Sequence, residues 1–251
     1  MVRSAVLIAL VSLCLGADVS AGGRRRYFLL RHGRSLANEA ALISSDPELA
    51  TREHGLSELG RQQAADAGRE VVMRARERVE DGSEGGSDGG SEGGSASRAT
   101  RVAIFSSDFV RAKETADAVH AACVENAVAV WPTEGPCVDV ALRERWFGEW
   151  DGGSDTNYER VWIDDAHDPS HTRHGVESVE SVVNRTGDLL DRIESELEAQ
   201  LEGEEVMVVV VAHGDVLQIL QAAHAEQIDP RLHRSLEHLP TATLRRVVIR
   251  R

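Results

Sequence analysis

Apolar residues along this chain follow two rhythms. Short continuous runs at 27–30, 101–106, 128–131, 206–212 and 244–249 read as buried strands, the third ended by Pro132. Between them, apolar positions recur every three or four residues. This pattern predicts a helix capped by Ser57 and running to about residue 79, and another over about 108–125. It also predicts a short helix over 158–164, a longer one from 177 to about 201 and one over 216–225. In the long helix Val179, Val182, Val183, Leu189, Leu190 and Ile193 carry the period. Strands alternating with helices predict a three-layer α/β/α sandwich with a mainly parallel sheet covered on both faces. No internal repeat of fixed period is visible.

Two segments break the rhythm. Residues 82–97 are Gly, Ser, Glu, Asp and Ala alone and cannot repay their ordering entropy. Only one strand and one helix precede them, too little for an independent core. We therefore read an acidic, flexible insertion at about 81–98 within one domain spanning 22–251. At the N-terminus, Arg3 precedes an apolar stretch at 5–15 and small residues at Val19-Ser20-Ala21. That is the three-part pattern of a cleaved secretory signal over 1–21. The apolar stretch is too short to span a bilayer, which takes about 20 residues. The expected destination is the secretory pathway or the exterior, with an organelle such as a plastid as the alternative. Arg24-Arg25-Arg26 would then form a flexible basic N-terminus.

Composition narrows the chemistry. The net charge of −14 argues against a nucleic-acid or anionic-membrane surface, so an anionic substrate would need a local positive pocket. Of three cysteines, Cys14 lies in the signal segment. Cys123 and Cys137 either pair or serve as small buried hydrophobes; no Cys-x-x-Cys spacing suggests zinc.

The first strand ends in Arg31-His32-Gly33 and the run at 206–212 ends in His213-Gly214-Asp215. Ligands of open α/β sheets bind at the carboxyl ends of strands, so two histidines and an arginine there suggest chemistry on an anion. Arg111 falls on the first turn of a helix, beside amides that attract anions. Asn38, on the loop after His32, can donate from its amide, and Glu144 lies in an aromatic-rich stretch. A zinc site of His32, His213 and Glu144 is conceivable, but two arginines would repel the cation. His167, His171 and His174, with Asp164, Asp165 and Asp168, are interrupted by Pro169 and read as a solvated loop at the pocket mouth. Arg173 or His174 is expected to meet the distal part of a substrate.

Taken in order, these motifs resemble the histidine phosphatase superfamily, also called phosphoglycerate mutase-like. The resemblance rests on residues 31–38 (Arg-His-Gly followed by Ser35 and Asn38), 56–64 (Leu-Ser-x-x-Gly-x-x-Gln-Ala) and 107–116 (Ser-x-x-x-Arg-Ala-x-x-Thr-Ala). It continues through 142–152 (Leu-x-Glu-x-x-x-Gly-x-Trp-x-Gly), a Gly-x-Ser segment approached by 175–178 with one extra residue, and His213-Gly214. The resemblance implies metal-independent phosphomonoester hydrolysis through a phosphohistidine on His32. It implies Arg31, Arg111 and His213 as catalytic phosphate ligands and Glu144 as proton donor. Gly33, Ser35, Asn38 and Gly214 complete the implied phosphate site, with no metal or cofactor. The implied substrate is a phosphorylated small molecule or a phosphoprotein. Cofactor-dependent mutase chemistry and a non-catalytic phosphate-binding module are the alternatives. The continuation Gly148-Glu149-Trp150-Asp151-Gly152 resembles the phosphatase branch.

Overall fold

The computed structural model describes residues 24–77 and 100–250. The signal segment, Cys14 and the acidic insertion expected from the sequence lie outside the described residues. Six strands form one sheet: β1 (Arg25–Arg31), β2 (Arg101–Ser106), β3 (Val130–Trp131), β4 (Cys137–Val138), β5 (Val206–Ala212) and β6 (Leu244–Val247). Their order is β3-β2-β5-β1-β6, with β4 also paired to β2. All pairings are parallel except that of β1 with the edge strand β6. β5 is buried at every position, as expected of a central parallel strand with both faces covered.

Strand alternation divides the core into two layers. Tyr27, Leu29, Val206, Val208 and Val210 face one way, against Leu189, Leu190, Ile193 and Leu197 of α6 (Val179–Gln200) and Leu217 and Leu220 of α7 (Gly214–Leu220). Phe28, Leu30, Met207, Val209 and Val211 face the other way. There they meet Ala67, Val71 and Val72 of α3 (Glu58–Arg76) and Ala112, Ala116 and Val119 of α4 (Val110–Glu125). The expected three-layer sandwich is the observed fold.

Several local expectations change. α3 starts on its Ser57 cap, whose side chain accepts from the Gly60 amide, and ends at Arg76. α4 begins at Val110 because the Ser107 hydroxyl accepts from the Phe109 amide and delays the turn. The loop after β1 contains two short helices, α1 (Leu36–Glu39) and α2 (Pro47–Ala50), each too brief to show a period. α5 (Tyr158–His167) is longer than expected, and α7 runs on as a π-helix over Gln221–Glu226. The arginine run is no flexible tail. Arg25 and Arg26 belong to β1, where Arg25 Nη1 donates to the Glu204 carbonyl (2.9 Å) and Arg26 Nη2 to Thr100 Oγ1 (3.2 Å). Cys123 and Cys137 are free thiols, Cys123 being fully buried under the sheet. Among the described residues no helix is long and apolar enough to cross a membrane.

Candidate active site

The sheet register itself assembles the site. Arg31 pairs with Ala212, so the next step along both strands sets His32 beside His213. The ladder continues that far: the His32 amide donates to the Ala212 carbonyl (3.0 Å) and the Ser107 amide to that of Val211 (3.0 Å). The two imidazoles lie 5.1 Å apart, centroid to centroid, and both are buried. β1, β2 and β5 thus deliver His32, Ser107 and His213 to one carboxyl edge, the crevice where α/β sheets bind ligands.

Hydrogen bonds decide the state of His32. Its Nδ1 lies 2.7 Å from the Gly33 carbonyl, which can only accept, so Nδ1 carries the proton. Arg111 Nε, which can only donate, lies 3.2 Å from Nε2, so Nε2 presents its lone pair. Burial, then Arg111 and Arg31, push the His32 pKa well below the ordinary value, against the pull of the Gly33 carbonyl. The imidazole is therefore neutral. Arg111 is held by its Nη2 donating to the Ser44 carbonyl at 2.8 Å. His213 is likewise kept neutral by burial and by Arg111; its Nε2 lies 3.0 Å from Ser107 Oγ. His213 Nδ1 and Arg31 Nε are both buried without a protein partner. Unmet buried polar groups are costly, and two at one strand edge mark a place for an anion.

Above this edge sits Glu144. It is buried, and its Oε1 accepts from the Arg145 amide at 3.0 Å. Burial, then the charge of Asp215, raise its pKa to about 7, against Arg111, the Arg145 amide and Arg31. The aromatic residues of that stretch do not supply this setting: Trp146 is 38% exposed and Phe147 packs with Tyr158 in a separate apolar cluster. The neighbour that matters is ionic. Arg145, fully buried, makes two 2.6 Å bonds to Asp165 and reaches Asp215 at 3.3 Å. Its Nε donates to the Glu177 carbonyl at 2.6 Å.

The profile described as histidine phosphatase superfamily (branch 1) matches residues 94–251. The chain belongs to this superfamily. Among solved structures it is similar to a mycobacterial glucosyl-3-phosphoglycerate phosphatase complexed with VO3 (24% identity, 90% of this chain and 98% of that one, TM-score 0.60). The same enzyme with inorganic phosphate matches at 25% identity over 88% of each chain, with TM-score 0.58. A Bacillus stearothermophilus protein, YhfR, matches at 22% identity over 88% and 89% of the two chains, with TM-score 0.58. No curated protein matches. The profile match begins downstream of Arg31-His32-Gly33, so the placing of His32 in the site rests on the geometry above.

Superfamily membership assigns the chain coarsely to phosphatase or mutase-like enzymes, and its motifs now have physical tasks. Gly60 lets α3 meet the loop after β1: a Cβ there would lie 1.9 Å from the Arg34 carbonyl oxygen. Thr115 Oγ1 accepts from the Gly33 amide (3.0 Å) and donates to the Arg111 carbonyl (2.7 Å), tying both loops together. Asp151 Oδ1 accepts from the Ser45 amide (2.5 Å) and hydroxyl (2.7 Å), which fixes the turn whose Ser44 carbonyl holds Arg111. Gly214 admits Arg31, whose guanidinium carbon would stand 3.3 Å from a Cβ. Gly148, at φ +54, passes so close to 174–175 that a Cβ would lie 2.0 Å from the His174 carbonyl oxygen.

Some expected ligands have other duties. The Gly33 amide is taken by Thr115. Ser35 is fully buried and caps α1, its Oγ accepting from the Asn38 amide at 3.1 Å and donating to Asn38 Oδ1 at 3.0 Å. Asn38 closes this capping box through the Ser35 amide (3.1 Å), so its carbonyl oxygen is committed to the loop. The histidine-rich stretch is solvated only in part. His171 is buried, and its Nε2 lies 2.8 Å from Asp165 Oδ1. His174 is half exposed, packs on Trp150 and pairs with Glu149 (3.2 Å), while Arg173 pairs with Asp164. Among the described residues no three His, Cys, Asp or Glu side chains group as a metal site requires. Sequence reading missed Ser44, Thr115, Arg145, Asp165 and Asp215 as site supports. Their signal was weak: Thr115, Arg145 and Asp215 lie within or beside a motif and Ser44 and Asp165 outside any, and the partners they join are far apart in sequence.

Proposed function

We propose that this chain hydrolyses phosphate monoesters through a phosphohistidine on His32. The observation that carries this reading is the tautomer of His32, whose Nε2 lone pair is aimed at the space held by Arg111 while Nδ1 is locked to a carbonyl. Nε2 attacks phosphorus, the N–P bond forms, and the ester P–O bond breaks as Glu144 passes its proton to the leaving alkoxide. Water then attacks phosphorus, Glu144 takes its proton, and the N–P electron pair returns to Nε2. Arg31, Arg111 and the unpaired Nδ1 of His213 donate to the phosphoryl oxygens, whose charge needs such preorganised donors. Guanidinium groups suit the task because each can grip two oxygens at once.

Two protonation states bound the working pH. His32 must be neutral, which holds down to well below pH 6.5, and Glu144 must be protonated, which fails above about pH 7. Activity toward a poor leaving group therefore falls on an alkaline limb near neutrality.

The similar mycobacterial enzyme is a phosphatase of glucosyl-3-phosphoglycerate and was solved with phosphate, which supports a phosphorylated small molecule as substrate. The test is phosphate release from p-nitrophenyl phosphate by residues 22–251, with EDTA present, beside His32→Ala. Release that survives EDTA and disappears in His32→Ala supports the reading. Loss with EDTA contradicts the metal-free step, and full activity in His32→Ala contradicts the nucleophile. Interconversion of monophosphoglycerates without release would reassign the enzyme as a mutase. We also infer from the sequence a secreted or organellar protein; native N-terminal residues far from Gly22 would overturn that.

A further inference from the structure

Behind Glu144 lies a buried ionic cluster that the proposed reaction does not use. Asp215, on the first turn of α7, is 5% exposed. Its Oδ2 receives Arg145 Nη1 at 3.3 Å and its Oδ1 the Trp162 indole N–H at 2.9 Å. His233 Nε2 stands 3.5 Å and Arg234 Nη1 3.9 Å from the same Oδ1, both on the turn Pro230–Ser235. The Nδ1 of His233 lies 2.9 Å from the Pro230 carbonyl, which orients the ring with Nε2 toward Asp215. Arg145 is in turn locked by Asp165, which also holds His171. Arg145 and the Trp162 indole donate to this carboxylate and Arg234 stands close by as a cation, a setting that keeps one buried acid ionised. Burial alone would raise the Asp215 pKa, but the surrounding His233, Arg145 and Arg234 hold it well below the usual carboxylate range.

Glu144 is attached to this cluster by the chain itself, because its Oε1 rests on the amide of Arg145. The charged and titratable groups facing it are Arg31 from β1, Arg111 from α4, Tyr158 from α5, Asp215 from α7 and Arg234 from the turn after it. Three of these five are cations. They work against burial, favouring loss of the proton that the leaving group requires. We propose that Asp215 is a positioning residue of this reaction, a buried anion held by Arg145 and Trp162 that acts on Glu144 through the Arg145 link and opposes Arg31 and Arg111 there. It touches neither substrate nor the reacting atoms and acts only through Glu144. Its helix start beside Gly214 ties this charge to the strand that carries His213, so acid and phosphate donors stay in register.

This inference rests on Glu144 being the proton donor, and the experiment separates the two. The full chain is assayed from pH 5 to 9 on β-glycerophosphate, whose leaving group needs a proton, and on p-nitrophenyl phosphate, whose leaving group does not. The variants are Asp215→Asn, Arg234→Gln and Glu144→Gln. Removing the anion should move the alkaline limb of kcat/KM for β-glycerophosphate to lower pH by about one unit, as loss of a nearby charge does. Removing the Arg234 cation should move it to higher pH. Substrate ionisation is common to all and cancels. A structural role alone would lower both substrates together and leave the limb in place, which overturns the proposal. If Asp215→Asn does not fold, the half-exposed Arg234 decides: a limb unmoved or moved down in Arg234→Gln overturns it. If Glu144→Gln retains both β-glycerophosphate turnover and the limb, the proton-donor reading has failed, and this inference with it.

Discussion

The floor and the roof of this site hold their charges by different means. On the floor, the backbone ladder does the positioning: one register step past Arg31 and Ala212 puts His32 beside His213, and α4 brings Arg111 to Nε2 at 3.2 Å. Its groups are neutral imidazoles and cations with donors left over for a ligand. On the roof, no ladder exists. Arg145 from a loop, Asp165 from α5 and Asp215 from α7 hold one another by ion pairs out of water. The floor thus keeps donors for an anion, whereas in the roof Arg145, Asp165 and Asp215 satisfy one another. The difference teaches that the anion binding and proton delivery proposed for the two regions rest on different physics and should fail differently.

Arg111→Lys tests the floor. A lysine keeps the charge but loses the Nε contact to His32 and the Nη2 bond to Ser44, so kcat/KM should fall about 10²–10³-fold with little change in melting temperature. A change below tenfold would show that the fork of donors is dispensable. Arg145→Met tests the roof and should do the reverse. It strands two buried carboxylates, and loss of one partner of a buried pair costs about 3–5 kcal/mol, read as a lower urea midpoint. If stability is unchanged while turnover collapses, the two regions are not distinct in the way described.

Glu144→Gln sits between them, with a smaller effect on stability than Arg145→Met. The Glu144 pKa rises from an ordinary 4.5 to about 7 on folding, so the folded state binds its proton more tightly. That contribution is present below pH 4.5, drains away as pH rises toward 7 and is gone above it. Replacement by glutamine should therefore raise stability by about 1–3 kcal/mol at pH 8 and leave it unchanged at pH 4, while abolishing turnover of poor leaving groups. Equal stability of the two proteins at both pH values would mean that Glu144 titrates normally.

The same division explains what was legible beforehand. Strand runs such as 206–212 and the motif Arg31-His32-Gly33 announce the floor, because a continuous apolar run followed by a histidine is a local signal whose spatial meaning the sheet supplies. The cap at Ser57 was legible for the same reason. His171 read as solvated because its burial depends on Asp165 being neutralised by Arg145, a pairing no local pattern shows. Asp215 read only as the residue after a motif, and Ser35 as a phosphate ligand, although its hydroxyl is spent on a helix cap. Short elements such as α1, α2 and β4 escape periodicity altogether.

The central claim is a covalent bond between phosphorus and His32 Nε2. It is tested most directly by mixing the enzyme with ³²P-labelled substrate, quenching in alkali within milliseconds and mapping the label by mass spectrometry. The account predicts one labelled histidine, His32, with an acid-labile, alkali-stable phosphoryl group, and no label in His32→Ala. Turnover with no labelled enzyme at any quench time, or label on His213 or on a carboxylate, would contradict it.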